Sequence, residues 1–243
     1  TKNLSDYILG GRCLGSWVTA MSASASDMSG WLLLGLPGYA YAAGLEAGWI
    51  ALGLLVGTYF NWRLVAARLR HYSVIAGDSQ TLPEFFENRF HDKSRLLRTV
   101  SAIFILLFFL FYTSSGLVAG GKLFNAVFEL PYHWAVTAGA LVIVIYTFFG
   151  GFLAVSWTDL FQGLLMALAL LIAPLVAISS MGGWGVTLST VSETNPALLN
   201  ALTDIKNEPL GLLAIISLMA WGLGYFGQPH ILARFKAIRS VAE

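Results

Sequence analysis

Charge is what this sequence has least of. Asp, Glu, Lys and Arg make up 11% of its 243 residues, against 57% hydrophobic, where soluble domains carry about 25% charged residues. With a mean hydropathy of +0.71, a water-soluble fold is excluded. Cysteine is nearly missing. Cys13 alone permits neither an internal disulfide nor a thiolate metal cluster. Histidine is scarce too, and His71, His91, His133 and His230 show no ligand spacing. No phosphate-binding loop is present, and the serine-rich run before residue 30 has no histidine beside it as general base, so hydrolysis lacks support and an enzyme is not indicated. A net charge of +1 gives no reason to expect a nucleic-acid partner. The first residue is Thr, with no signal peptide or initiator methionine in view, and the reading expects a piece of a longer protein.

What is present is apolar helix. Crossing a bilayer takes about 20 apolar residues, and charge-poor runs predict six spans at 16–43, 46–66, 99–127, 134–150, 156–181 and 210–234. Six crossings sort the loops alternately. One side holds Lys2, Arg12, Arg63, Arg68, Arg70, Arg89, Lys93, Arg95, Arg98, Arg234, Lys236 and Arg239, and the other Lys122 and Lys206. Twelve against two places both ends of the chain in the cytoplasm. Residues 71–95 then form a cytoplasmic loop, where Thr81-Leu82-Pro83-Glu84 predicts a capped short helix through Phe90. Residues 182–209, rich in Gly, Ser, Thr, Asn and Pro, read as an extracytoplasmic connection. Gly44–Gly48, Gly53–Gly57 and Gly116–Gly120 are spaced to let helix backbones approach closely.

Asp27 stands out. It is the only charge between Cys13 and Leu45, and an ionised carboxylate at a helix centre costs roughly 2.5–3.5 kcal/mol. Ser22, Ser24, Ser26, Ser29 and Gly30 around it oppose helix. An acid-bearing interruption inside a span is how transporters expose backbone carbonyls to a cation. A second interruption is expected at 221–230, where three glycines and Pro229 fall close together. Interrupted spans at positions one and six, running in opposite senses, suit an inverted repeat of five helices of the LeuT type. Ser26, Ser29 and Trp31 flank the first break and either face a solute cavity or, for the serines, pack or bond back within helices and, for Trp31, face lipid. Trp221 and Tyr225, four apart, offer an apolar wall with a hydroxyl. Asp159 stands at the start of the fifth span, where helix capping alone would also suit an acid. Asp27 itself is also consistent with a structural acid paired to Arg12 or to a helix end.

The runs ILGGRCLGSWVTAMSASASDMSGWLLLGLPG, GGFLAVSWTDLFQ and AIISLMAWGLGYFGQPHILARF closely resemble the sodium/solute symporter family, and the similarity extends along nearly the whole chain. The resemblance implies an all-α membrane protein, part of a LeuT-type inverted-repeat bundle, in the bacterial cytoplasmic membrane. It implies sodium-coupled uptake of a small solute, L-proline first, with Na+ as coupling ion and no other cofactor. It assigns sodium to Asp27 and the carbonyls of Ala25 and Met28, completed by hydroxyls on a later helix. Asp159 and Arg12 would lie on the sodium route. Tyr112, Trp221 and Tyr225 would lie near the bound solute, with Ser26, Ser29, Trp31 and Gln228 as further candidates. Gly224 and Pro229 are expected to be conformational, and Phe226 continues their motif. Cys13 stands where the family has serine. Competing readings are a symporter of another small organic solute, a symporter-like sensory module fused to a signalling kinase, and a channel.

Overall fold

The computed structural model describes residues 4–240; Lys2, counted among the basic residues above, lies outside them. Eleven α-helices follow one another, and the described residues form no β-strand. They are α1 (Leu4–Leu9), α2 (Ser16–Asp27), α3 (Leu36–Ala43), α4 (Gly48–Asn61), α5 (Ala67–Ile75), α6 (Leu82–Arg89), α7 (Leu96–Phe128), α8 (Tyr132–Ser180), α9 (Trp184–Thr194), α10 (Leu212–Met219) and α11 (Pro229–Ala237). π-helical segments lead into α3 at Trp31–Gly35 and join α4 to α5 at Trp62–Ala66, and a 3-10 stretch, Ala220–Gly227, follows α10.

Among the described residues, three helices are long and apolar enough to cross a membrane: Leu36–Ile75, Leu96–Phe128 and Tyr132–Ser180. A fourth arises if Leu212–Gly227 and Pro229–Ala237, bent by 47°, form one broken span. The runs expected at 134–150 and 156–181 both fall in α8, which turns at Gly151 with φ 58° and ψ −155°. That conformation strains any residue with a Cβ, and a Cβ there would also lie 2.9 Å from the Tyr7 carbonyl. Gly44, at φ 67°, likewise separates the runs expected at 16–43 and 46–66. Few residues of α7 and α8 are buried, and their Leu, Ile, Val and Phe side chains point outward. Such surfaces are stable in lipid rather than water. This is a membrane protein.

The packed centre is α11. Ile231, Leu232, Arg234, Phe235, Lys236 and Ala237 are all buried there, in contact with α2, α5, α6 and α1. Leu69, Leu82, Tyr225, Ile231, Leu232 and Phe235 form its main apolar cluster. The Thr81 motif behaves as its residues predict: Thr81 and Glu84 form a reciprocal capping box that starts α6. Phe85 and Phe86 pack against the main cluster, whereas Phe90 is exposed. Nearby, Asp92 caps the start of α7. Its carboxyl is held below the usual carboxylate range by the Ser94 hydroxyl and the Leu97 N–H. The stretch 182–209 is less irregular than its composition suggests, because it contains α9 and a 3-10 turn at Pro196–Leu199 capped by Asn195.

Of the three glycine pairs, Gly53–Gly57 brings backbones together at both residues, and Gly44–Gly48 at Gly44 alone, where a Cβ would lie 2.3 Å from the Leu198 carbonyl. A Cβ on Gly53 would meet the Met219 carbonyl at 2.3 Å, and one on Gly57 the Gly222 carbonyl at 2.2 Å. Gly116 and Gly120 face open space. Helix α4 therefore lies directly on the 3-10 stretch. Gly57→Ala should force the two backbones apart at a cost of about 1–3 kcal/mol, lowering the melting temperature of the detergent-purified full-length protein. Gly120→Ala is expected to leave it unchanged, and equal melts for the two variants would refute the close approach.

Candidate functional site

Helix α2 ends at Asp27. Met28 leaves the helical region with φ −69° and ψ 95°, and helical geometry resumes at Gly30. The break is narrower than the small-residue run suggests. Ser22, Ser24, Ser26 and Ala25 all remain inside α2, and the Ala25 carbonyl, expected to be freed, accepts the Met28 N–H at 3.2 Å. One of its two lone pairs stays open. Gly30 is required by packing, since its Cβ would lie 2.5 Å from that of Ala119 in α7.

The second break follows from proline chemistry. Pro229 opens α11, and the residue before a proline is pushed out of the helical region. Gln228 accordingly sits at φ −76° and ψ 110°. Trp221 and Tyr225 lie on the tighter 3-10 stretch rather than on an α-helix, yet both reach the same space as the first break.

That space is a cavity of about 290 Å³, at the small end of ligand pockets. Asp27, Met28, Ser29 and Trp31 line it from the first break, and Trp221, Tyr225 and Gln228 from the second. Two further contacts span the breaks. Trp31 and Trp221 stack with ring centroids 4.3 Å apart. The Tyr225 hydroxyl donates to Asp27 Oδ2 at 2.6 Å. Asp27 has no contact with Arg12, which removes the structural pairing considered above.

The other candidates lie elsewhere. Ser26 Oγ bonds back to the Ala23 carbonyl, and the Ser26 carbonyl accepts the Tyr112 hydroxyl at 3.0 Å. Neither side chain lines the cavity. Gly224 sits in the 3-10 stretch. Arg12 pairs with Asp78 and donates to the Ser79 carbonyl at 3.2 Å. Asp159 is not a capping acid, because it lies well past Gly151 inside the second half of α8. It pairs instead with Arg234 at 2.7 Å. Ser22 Oγ donates to the same carboxylate oxygen at 2.7 Å and accepts from Arg234 Nε at 2.7 Å. Arg234 also donates to the His230 carbonyl. Arg234 is thus a buried partner rather than a loop charge.

Sequence reasoning missed three residues. Thr58 and Asn61 of α4 line the cavity; a buried amide inside an apolar run was the available signal. His230, grouped with loop and span-end histidines, stacks on Tyr112 at 5.5 Å, and its Nε2 lies 3.8 Å from Asp27 Oδ1. Its four-residue spacing from Arg234 marks one helix face. No group of three or more His, Cys, Asp or Glu able to hold a metal occurs among the described residues. The site offers one carboxylate, backbone carbonyls, amides, hydroxyls and aromatic rings, with the His230 imidazole beside Asp27.

The sodium:solute symporter family matches over residues 7–243. The protein called sodium/proline symporter in Staphylococcus aureus is 51% identical over 240 residues, covering 99% of this chain and 46% of the relative. The protein of that name in strain JH9 of S. aureus matches to the same extent. The chain spans about half the length of these curated relatives. No solved structure matches it.

Breaking the lower ion pair tests its burial. Arg234→Met should destabilise the protein by about 3–5 kcal/mol by leaving Asp159 buried and unpaired, and Asp159→Asn in the same chain should restore part of that loss. Melts of the two single variants and the double variant, run side by side, give the answer. Strictly additive losses would mean that the contact carries no coupling.

Proposed function

The chain belongs to the sodium:solute symporter family, and on that footing we propose that it supplies the paired broken helices of a carrier coupling inward sodium flow to L-proline uptake. The observation that carries this reading is Asp27. Its carboxylate sits at the end of a helix, on the wall of an amino-acid-sized cavity whose far side is a second broken helix. The 51% identity to sodium/proline symporters along almost the whole chain supports proline as the solute.

Sodium is the cargo that Asp27 and the carbonyls of Ala25 and Met28 attract, with further oxygens from outside this segment, since a hard cation takes several oxygen ligands. Proline occupies the neighbouring cavity, its ring against Trp31 and Trp221, with Ser29, Tyr225 and Gln228 supplying polar contacts. Asp159, on the Ser22–Arg234 network, and Arg12, paired with Asp78, lie on the ion's inward path. Tyr112 and Ser26 act on the first break from behind. Gly224 and Pro229 provide the bend about which the second broken helix moves.

The architecture that goes with this reading is a LeuT-type inverted repeat with six crossings in this segment, helices one and six interrupted, and alternating access by rocking of the broken-helix bundle. The membrane is the bacterial cytoplasmic membrane, with both ends of the segment inside. Arg234 is taken up by its ion pair, which leaves eleven basic residues against two, still a strong inward bias. Ion and solute share a wall, so each tightens the other's binding by the same factor.

Uptake of radiolabelled proline by cells expressing the full-length protein should depend on sodium. Asp27→Asn should cut that uptake by roughly a hundredfold, as loss of a charged ligand in a desolvated site does. Sodium dependence that survives Asp27→Asn would end the assignment, and a panel of competing amino and carboxylic acids would expose a different solute.

A further inference from the structure

Asn61 is 1% exposed, lies on the face of α4 that Gly53 and Gly57 press against the second break, and lines the cavity. Its amide orientation is settled by chemistry. Nδ2 donates to the Tyr225 carbonyl at 2.9 Å, and a carbonyl can only accept, so Oδ1 is the atom on the other side. That oxygen is buried without a hydrogen-bond partner, as is Oε1 of Gln228, also on the cavity wall. Buried acceptors without partners are rare because desolvating them is costly. Two of them on one small cavity mark where donors of a bound molecule belong. Asp27 is a third acceptor, but its Oδ2 already takes the Tyr225 hydroxyl.

We propose that Asn61 Oδ1 and Gln228 Oε1 accept the two N–H donors of a secondary ammonium, which makes Asn61 the residue that reads a cyclic imino acid by its nitrogen. This inference rests on the proline reading above and deepens it. A secondary ammonium carries two donors, a tertiary one carries one, and a site built around two acceptors leaves one of them orphaned when the second donor is missing. Rejection of an analogue lacking a donor is far stronger than rejection of one lacking only a methylene. The backbone anchor matters as well. Because the Asn61 amide hangs on the Tyr225 carbonyl, its oxygen is held in place before the solute arrives, so little ordering cost remains at binding.

The test compares L-proline with N-methyl-L-proline in sodium-driven uptake by the full-length carrier. The wild type should prefer proline by about tenfold or more, the range of a hydrogen bond to a charged group. Asn61→Leu, close in size, should weaken proline by about tenfold while leaving N-methyl-L-proline where it was. Gln228→Met, whose side chain anchors no backbone group, should collapse the preference in the same way and decides the matter if Asn61→Leu does not reach the membrane. A merely structural role for Asn61 would weaken both solutes together. Two folded variants that keep the wild-type preference overturn the proposal, as does a wild type that takes up both solutes equally. A wild type with no sodium-driven proline uptake at all instead brings down the parent reading, and this inference with it.

Discussion

The bundle is organised around the need to hold one carboxylate in a desolvated place. An ionised Asp at mid-span costs roughly 2.5–3.5 kcal/mol, and a hydrogen bond to a charged group contributes roughly 1.5–3 kcal/mol. The single bond from Tyr225 to Asp27 therefore offsets much of that cost without cancelling it. On the proposed reading, the remainder is what a bound cation would offset. To deliver that bond, the second break must face the first. The stacked tryptophans and the glycine contact of α4 hold it there.

A second charged layer sits beside the first and behaves differently. Arg234, Asp159 and Ser22 satisfy one another at 2.7 Å, in a closed network in which few donors or acceptors are left over. Such a network gains from the low dielectric rather than suffering from it. It also joins α2, the second half of α8 and α11, three elements far apart in sequence. The Asp27 layer keeps orphan amide oxygens on two residues that line a cavity. The Arg234 layer is nearly saturated. That contrast sets the proposed ligand site apart from a closed ion-pair network, although both contain one aspartate in an apolar surround.

The two breaks were legible because their causes are local: Pro229 dictates the conformation of Gln228, and small residues weaken helix near Asp27. The extent of the first break was not legible. Ser22 stays helical because its hydroxyl bonds to an acid 137 residues away, a contact that no window of sequence contains. The same holds for Arg234, which counts as a loop charge until the fold delivers Asp159 to it. A capping role suited Asp159 in the sequence because the start of its helix was placed too near. Gly151, whose positive φ sets the true start, looked like one glycine among twenty-five. Asn61 and Thr58 passed unnoticed because α4 carries no break, and its service to the cavity depends on a neighbour's backbone.

Tyr225 ties these features into one argument about coupling. Its hydroxyl holds Asp27, where sodium is proposed to bind, while its carbonyl holds Asn61, where the solute's nitrogen is proposed to bind. Both bonds belong to one residue in a 3-10 stretch, a geometry with weaker internal hydrogen bonds than an α-helix. Any rotation of that stretch moves the two anchors together. A cation drawing Asp27 toward the first break thus also sets the position of the Asn61 oxygen, and a solute gripping that oxygen steadies the hydroxyl on Asp27. Linkage requires the effect to be equal in both directions. A single residue bridging the two sites provides it without a long relay through the bundle.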